Sequence, residues 1–584
     1  MTALLEGRFG SLGAWLERPV VFAPLLAVLG GAISAVFADR GLPANDEGAL
    51  LTNAAKLLRG ALYYRDIDAY PFPGAAYLLA GAMGLFGEHL SVARALAAIV
   101  FVTTIVSLYF AALGLLVRGR AALFWLSLLS FKFLAWPGFT AYMYADVAFA
   151  AACVAIALGF GPGRRGRLRL LLAGVCVGIS VACKQNLGIP VAGVALALLA
   201  FPQLRLRDPR DDARRHRLDA AVFAAGLAAM LLPVAGYFAW QGVLAQMVTS
   251  GLVRPFTAYL PTSSVAFATP LAWWELGELR GMEAFPYSVG PYWSMLVRDE
   301  LPGPGWYSVY WTAGEIFSRS LYTSVPLVFA GALWQWLRAL RERRVSESER
   351  RRFGFALLAF AVVLSAFPRA DFYHVIGVYP VVLLVWFGLG GAGEGADTPA
   401  TDRRRGMWRA GLAVALLLAV TGSLTVVHVS SGTHEVELER ARLRLSPAET
   451  FVEPVLRYLQ DEVEEGEALF VYGHEAYYYF LTGRSSPWPF SQLYPGQAGG
   501  DDGRALIELL EREPPKRVVS GMLSWPGMPP LPGYTPLLVE HLQDRFEVVP
   551  DVFRRYPPQG GRVPPGWTVT VLRPRTDASP TAAE

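Results

Sequence analysis

Charge is scarce in this chain. Asp, Glu, Lys and Arg make up 17% of its 584 residues, against about 25% in a soluble globular protein. Cysteine is rarer still. The three present, Cys153, Cys176 and Cys183, all fall inside apolar stretches, which excludes a disulfide framework and any metal-ligand spacing built on thiolates. The seven histidines are scattered, with no HxxxH or HExxH pair. No P-loop and no GxGxxG before a helix is present, which argues against a nucleotide-driven pump. Nothing in the pattern points to nucleic acid, and the formal net charge is only +4.

What the chain has in abundance is apolar surface. Hydrophobic residues make up 54% and the mean hydropathy is +0.36, which places it in the membrane class. Runs long enough to span, about 20 residues with some shorter, occur near 20–38, 91–117, 121–136, 145–160, 168–183, 187–201, 219–240, 320–338, 353–367, 373–390 and 408–428. The sequence Val36-Phe37-Ala38 has the form of a signal-peptidase site, but the spans that follow predict that the first run stays as an anchor.

One further apolar segment, 71–87, is short, opens with Pro71 and Pro73, and holds four glycines. The arginines decide its status. They cluster at 118/120, at 164/165/167/169, over 205–217, over 338–352 and at 403/404/405/409. If 71–87 spans, the first two clusters fall on opposite faces. If it lies along the interface, every cluster falls on one face with the N-terminus, as the positive-inside rule requires. The expectation is therefore a polytopic α-helical membrane protein with about eleven spans plus interfacial helices. Its N-terminus is inside, and a small α/β domain of residues 429–584 lies outside. Residues 1–428 form the membrane domain, with outer loops 39–90 and 241–319.

Loop 241–319 carries Trp273-Trp274, Tyr292-Trp293, Trp306-Tyr307 and Tyr310-Trp311. These form either an interfacial aromatic belt or a lid whose rings stack on sugars. In the tail, EPVLRYLQDEVEEGEALFVYGHEAYYYFLTGR predicts helix, turn, buried strand and helix. KRVVSGM and WTVTVLRP predict further strands, and TDASPTAAE has the composition of a disordered end.

The chemistry is expected on the outer face. Asp46-Glu47 follows the first span. Asp46 as a helix cap explains one carboxylate, not two. Carboxylates at a membrane boundary are costly unless they serve a substrate or a partner, and one can act as a general base on an acceptor hydroxyl. Asp66 and Asp68 sit in a turn where they either shape the loop or support a substrate. Lys184-Gln185-Asn186 interrupts two apolar runs on a face where the positive-inside rule disfavours lysine. A lysine there suits a phosphate. Arg369, Asp371 and His374 lie within six residues of another outer turn, as either an internally paired hairpin or a phosphate or sugar site. Asp146 opens a span and is a weaker member of the same set. All of these fall on one face under the single topology that satisfies the arginines.

An acidic pair after the first span, followed by an amphipathic stretch ending in aromatic-Pro-x-Pro-Gly (Tyr70 to Gly74), resembles the lipid-linked-sugar glycosyltransferases of the GT-C fold. It is most similar to bacterial relatives of protein O-mannosyltransferase and aminoarabinose transferase. SVACKQNLGIP (180–190), FPRADFYHVIGVYP (367–380) and VYGHEAYYYFLTGR (471–484) also look like segments of bacterial members. The resemblance covers 1–430 as architecture and these short motifs specifically. It implies a multi-pass protein of the bacterial cytoplasmic membrane with an extracytoplasmic tail. It implies a polyprenyl-phosphate sugar as donor, a glycan, lipid or protein as acceptor, and membrane lipids as partners. Asp46 would then be the catalytic base or acceptor-binding carboxylate and Glu47 its neighbour. Lys184, Gln185, Arg369, Asp371, His374, Asp68 and Asp146 would line the substrate site, with Lys184, Arg369 and His374 on the lipid phosphate. No metal ligand is assigned. Ala145-Asp146 does not match a second acidic motif clearly, so a divalent metal stays open. The rival classes are a flippase or transporter of a lipid-linked sugar, and a polysaccharide polymerase or ligase. The absence of an inverted repeat and the clustering of charge on one face count against transport.

Overall fold

The computed structural model describes residues 18–116, 140–160, 166–201, 213–268, 287, 304–343, 345–389, single positions between 412 and 430, 432–447, 449–484, 486–495, 501–521, 528–552, 554–555 and 568–575. The expected spans 121–136 and most of 408–428, the Trp273-Trp274 and Tyr292-Trp293 pairs, the side chains of Trp306 and Tyr307, and the end TDASPTAAE lie outside the described residues.

The apolar runs form helices. Those of the first half are α1 (Pro19–Val36), α2 (Asn45–Leu58), α3 (Gly74–Phe86), α4 (Leu90–Leu113), α5 (Tyr144–Phe160), α6 (Arg167–Cys183), α7 (Gln185–Ala200) and α8 (Ala213–Trp240). Helix α1 packs on α4, α4 on α5, α5 on α6 and α6 on α8. The α6–α8 crossing is a backbone contact. A Cβ on Gly174 would sit 2.1 Å from Phe223 O, and one on Gly226 would sit 2.1 Å from Leu171 O, so only glycine allows this approach. Helices α9 (Pro304–Arg341), α10 (Glu347–Val363) and α11 (Phe372–Leu389) pack on one another, and α7 joins them through α10.

Five described helices are long and apolar enough to cross a membrane: α1, α4, α11, and the apolar stretches of α8 and α9. In α8 only 11% of the apolar window is buried by protein, and Leu232 and Trp240 are exposed. A helix with that much bare apolar surface is lipid-facing. Helix α3, the segment left ambiguous by composition, has 13 residues. At about 1.5 Å per residue it reaches roughly 20 Å, short of the roughly 30 Å hydrocarbon core.

Two expectations need revision. Helix α9 has 38 residues, about 57 Å. It begins at Pro304, so Tyr310-Trp311, which the sequence reading placed in loop 241–319, are helical. That loop also opens in helix: Leu244–Val248, Thr249–Val253, Pro255–Tyr259 and Leu260–Ser263 follow without a break, and the two middle turns are widened to π geometry. Such turns arise where an extra residue must be accommodated, often at functional sites.

The tail begins with an antiparallel hairpin absent from the sequence reading, β1 (His434–Leu438) with β2 (Ala441–Leu445). Then come α12 (Val452–Glu462), β3 (Leu469–Tyr472), α13 (Tyr477–Thr482), α14 (Arg504–Arg512), β4 (Arg517–Ser520), α15 (Pro536–Arg545), β5 (Phe546–Val548), β6 (Arg554–Arg555) and β7 (Thr568–Pro574). The sheet order is β3-β4-β7-β5, with β6 also on β7. Strands β3 and β4 are parallel, and β7 runs antiparallel to both its neighbours. A parallel pair needs a crossover, and α14 lies on that connection. The four-residue apolar strand LFVY is buried throughout, as a strand covered on both faces must be.

Candidate active site

The acidic helix α2 places its two carboxylates on different walls. It starts at Asn45 with Ala44 in the cap position and no side-chain cap, so Asp46 is not a helix cap. Asp46 and Glu47 are consecutive, and successive helical residues point about 100° apart. Glu47 turns inward and is fully buried. It lies 2.9 Å from the Arg94 guanidinium of α4 and accepts a hydrogen bond from the Tyr142 amide at 2.8 Å. The structure therefore sets Glu47 in a buried ion pair that fastens α2 to α4.

Asp46 faces the other way. It accepts a hydrogen bond from the Tyr494 hydroxyl of the tail at 3.1 Å. Burial pushes its carboxyl above the usual range. The neighbouring His374, the Tyr494 hydroxyl, Lys184 and Arg369 pull it partly back, in that order of strength. Tyr144 and Tyr259 are also within electrostatic reach of Asp46. Asp46, Tyr144, Tyr259 and Tyr494 all lie deep among protein atoms yet keep partial accessibility, and His374 beside them is partly exposed. That combination is what groups lining a crevice show.

Lys184 is the break between α6 and α7. Its extended backbone separates two helices that would otherwise run on, and its side chain is buried. Burial lowers its pKa to about 8, against the opposing pull of Asp146, Asp46 and Asp371. Among the described residues no carboxylate comes within 4.0 Å of its ammonium. The ammonium faces the Tyr144 ring, 5.9 Å from the nitrogen to the centroid. Asp146, in the first turn of α5, is the strongest of the three carboxylates acting on Lys184.

Arg369 and Asp371 precede α11. Arg369 is buried, donates from Nε to Asp371 at 2.6 Å, and donates from Nη1 to Ser263 O at 3.2 Å. Asp371 also accepts from the His374 backbone at 3.1 Å and contacts the His374 Nδ1 at 2.7 Å. Burial would raise the Asp371 carboxyl, but His374 and Arg369 outweigh it and hold it down at about 2. The internal pair read from the hairpin is present, and the hairpin also faces Asp46. With Nδ1 engaged by Asp371, the His374 ring has Nε2 left for a ligand.

Two of the predicted residues have other work. Gln185 spends its whole amide on backbone: Phe72 N donates to its Oε1 at 3.1 Å, and its Nε2 donates to Tyr70 O at 2.9 Å and Gly251 O at 2.7 Å. It pins the segment before α3 to the π-helical turn. Asp68 makes a two-oxygen pair with Arg254, at 2.6 and 3.2 Å, and its amide donates to Pro489 O at 3.0 Å. Both therefore shape the walls around the cluster.

The tail forms another wall. One face of α2 meets it at helical spacing. Besides Asp46, Thr52 donates to Ala476 O at 3.1 Å, Asn53 accepts from Ser491 at 2.5 Å, and Lys56 donates to Trp488 O at 2.5 Å. A Cβ on Gly48 would lie 2.5 Å from Tyr477 N, so the two helices touch at backbone distance. Sequence reasoning missed Tyr144, Tyr259 and Tyr494, which the fold brings to Asp46, and His474, whose ring lies against Tyr494. The last had a signal, since a polar His-Glu pair interrupts the apolar run of VYGHEAYYYF. Among the described residues no group of three His, Cys, Asp or Glu side chains is placed to hold a metal ion.

These features define a polytopic helical membrane protein of the GT-C fold, with a small C-terminal α/β unit set against the acidic helix. Among solved structures the chain is similar to ArnT from Cupriavidus metallidurans bound to undecaprenyl phosphate, at a TM-score of 0.55 and 13% identity, over 96% of this chain and 98% of that one. It is also similar to the oligosaccharyltransferase of Archaeoglobus fulgidus in complex with Zn and sulfate (TM-score 0.47, 13% identity, 85% of this chain and 68% of that one). The apo state of the same ArnT gives a TM-score of 0.43 at 14% identity, over 95% and 97%. Of these, the first bears on the fold. No protein-family profile and no curated protein matches the sequence.

Proposed function

We propose that this protein is a membrane glycosyltransferase that moves a sugar from a polyprenyl-phosphate donor to an acceptor at the outer face of the cytoplasmic membrane. Residues 1–428 would be the catalytic membrane domain and 429–584 an extracytoplasmic domain. The observation that carries the proposal is Lys184: a buried ammonium with no carboxylate within 4.0 Å among the described residues, beside the partly accessible Asp46. A buried cation is costly unless an anion joins it. A lipid phosphate supplies that anion, and the solved neighbour of the same fold is bound to undecaprenyl phosphate.

In this mechanism the phosphate of the donor sits against Lys184, with Arg369 and His374 adding charge and hydrogen bonds. Asp46 takes the proton of the acceptor hydroxyl as that oxygen bonds to the anomeric carbon. The bond from the anomeric carbon to the phosphate oxygen breaks, and the lipid phosphate leaves with the electron pair. The cations stabilise the leaving anion, so no acid is needed on the leaving oxygen. The raised pKa of Asp46 suits it to be a base. Attack from the face opposite the phosphate inverts the anomeric centre. The acceptor is a glycan, a lipid or a protein.

The test is transfer by the purified protein in nanodiscs supplied with radiolabelled polyprenyl-phospho-sugars and envelope acceptors. Label moving into product, and none moving with Asp46→Asn, supports the transferase. Lipid-linked sugar crossing the bilayer without transfer would establish a flippase instead.

A further inference from the structure

His474 is the one histidine among the described residues whose two ring nitrogens are both fully enclosed and without a hydrogen-bond partner. Its residue is only 1% exposed. It belongs to the tail, between β3 and α13, and its backbone is held on both sides. Its amide donates to Glu475 Oε2 at 3.1 Å, and its carbonyl accepts from Gln492 Nε2 at 3.1 Å. The backbone at His474 is thus held, while the ring's own nitrogens have no hydrogen-bond partner. It lies against the Tyr494 ring, with centroids 5.3 Å apart and planes at 35°, and the Tyr494 hydroxyl is the group bonded to Asp46.

Leaving a buried polar group unsatisfied costs about 1–3 kcal/mol, and such exceptions in folded proteins call for a functional or solvent explanation. Burial, with the nearby Arg369 charge adding to it, lowers the imidazole pKa to about 4. The ring is therefore neutral at physiological pH, with one donor and one acceptor. A neutral imidazole adds no charge to the binding of a phosphate, and Lys184 and Arg369 already supply cations there. A sugar hydroxyl, itself a donor and an acceptor, can pair with either nitrogen of the neutral ring, whichever carries the proton.

We infer that His474 is a substrate-binding residue, presented by the C-terminal α/β unit to a ring hydroxyl of a sugar held beside Asp46. The inference rests on the transferase proposal above. It makes the tail part of the substrate site, and it assigns to it the recognition of a hydroxylated ring instead of the lipid phosphate. The hydroxyl belongs either to the donor's sugar or to a sugar acceptor, and the experiment separates these.

Full-length protein in nanodiscs is titrated with undecaprenyl phosphate, with a panel of undecaprenyl-phospho-hexoses, and with methyl hexosides after loading with undecaprenyl phosphate. His474→Phe keeps an aromatic ring without polar atoms. His474→Leu gives the same test should the larger ring not fit, and His474→Gln returns a donor and an acceptor. The expected result is unchanged affinity for undecaprenyl phosphate in all three. The gain that a hexose adds should fall at least tenfold in Phe or Leu and recover in part in Gln, with melting temperature not lowered in Phe. Loss confined to the phospho-hexoses places the hydroxyl on the donor, and loss confined to the methyl hexosides places it on the acceptor. Equal binding of every sugar ligand by wild type and by Phe or Leu overturns the inference, as does a wild type that gains nothing from any hexose. An equal loss for undecaprenyl phosphate itself also overturns it. Failure of the wild type to bind undecaprenyl phosphate at all, or indifference of that binding to Lys184→Ala, strikes the transferase proposal instead.

Discussion

The Tyr494 hydroxyl donates a 3.1 Å hydrogen bond to the Asp46 carboxylate across 448 positions of sequence. A residue of the tail thereby conditions the acidic group that follows the first span. The bond lowers the Asp46 pKa against the larger upward push of burial. Asp46→Asn should reduce transfer by about two to four orders of magnitude, the usual contribution of a general base, with the detergent-solubilised protein still folded by circular dichroism. Tyr494→Phe should leave transfer measurable while moving its acid limb to higher pH. An unmoved limb would mean that the hydroxyl does not touch the catalytic form of Asp46.

The pH profile of transfer should be bell-shaped. Asp46 works ionised, so activity rises as pH climbs through its folded pKa, which lies above the ordinary carboxylate value of 3.8. Lys184 works protonated, so activity falls as pH passes its lowered value of about 8. An alkaline limb near the unperturbed lysine value of 10.5 would show that Lys184 is not the cation on the leaving group. The measurement is kcat/KM for the donor, taken well below saturation so that it reports the groups of the free protein, over a buffer series with a stability check at each end.

Lys184→Ala should weaken binding of a polyprenyl phosphate by about 1.5–3 kcal/mol, the range for a hydrogen bond to a charged group. Arg369→Ala should do so as well, although part of its cost is the Asp371 carboxylate left without its 2.6 Å partner. In a double-mutant cycle the two should be coupled by at least about 0.5 kcal/mol, because both address one anion. Strict additivity in titration calorimetry would separate them.

Glu47→Gln should act on stability. Removing one member of a buried ion pair strands the other, at about 3–5 kcal/mol, and here the stranded group is the buried Arg94. Thermal unfolding should drop markedly, and the double variant with Arg94→Met should recover part of the loss. A Glu47→Gln protein that keeps its melting temperature but loses transfer would restore the carboxylate to a chemical role.

Accessibility should follow the arginine rule. In a cysteine-free background, single cysteines at Arg65 and Arg512, both exposed, should react with an impermeant thiol reagent applied outside the cell. A cysteine at the exposed Arg338 should react only after permeabilisation. Labelling at 65 without labelling at 512 would break the parity that puts α3 along the interface.

Much of this protein was readable in order along the chain. Apolar length alone marks α1, α4 and α8, because a bilayer accepts only helices that satisfy their own backbone. The alternation from LFVY to YYYF marks a buried strand and the helix after it. Lys184 is legible because a turn between two apolar runs needs a polar residue, yet lysine is an odd choice on the face the positive-inside rule disfavours. The hairpin of β1 and β2 is not legible in the sequence because its alternation is brief, five residues a side, and follows directly on an apolar run.

What the order of residues left open was direction and proximity. Asp46 and Glu47 are equivalent in a string. The helical twist sends one to the crevice and the other to Arg94. Gln185 and Asp68 carried the same polar signal as Lys184, yet tertiary contacts consume them on backbone carbonyls and on Arg254. Tyr494 and His474 could not be assigned to the site from the tail alone, since it is the backbone-distance contact of Gly48 with Tyr477 that carries the tail onto α2. Sequence determines which segments must leave water and on which face charge collects. Only packing decides which of those charges share one low-dielectric space, because electrostatic coupling depends on distance through the fold and not on separation along the chain.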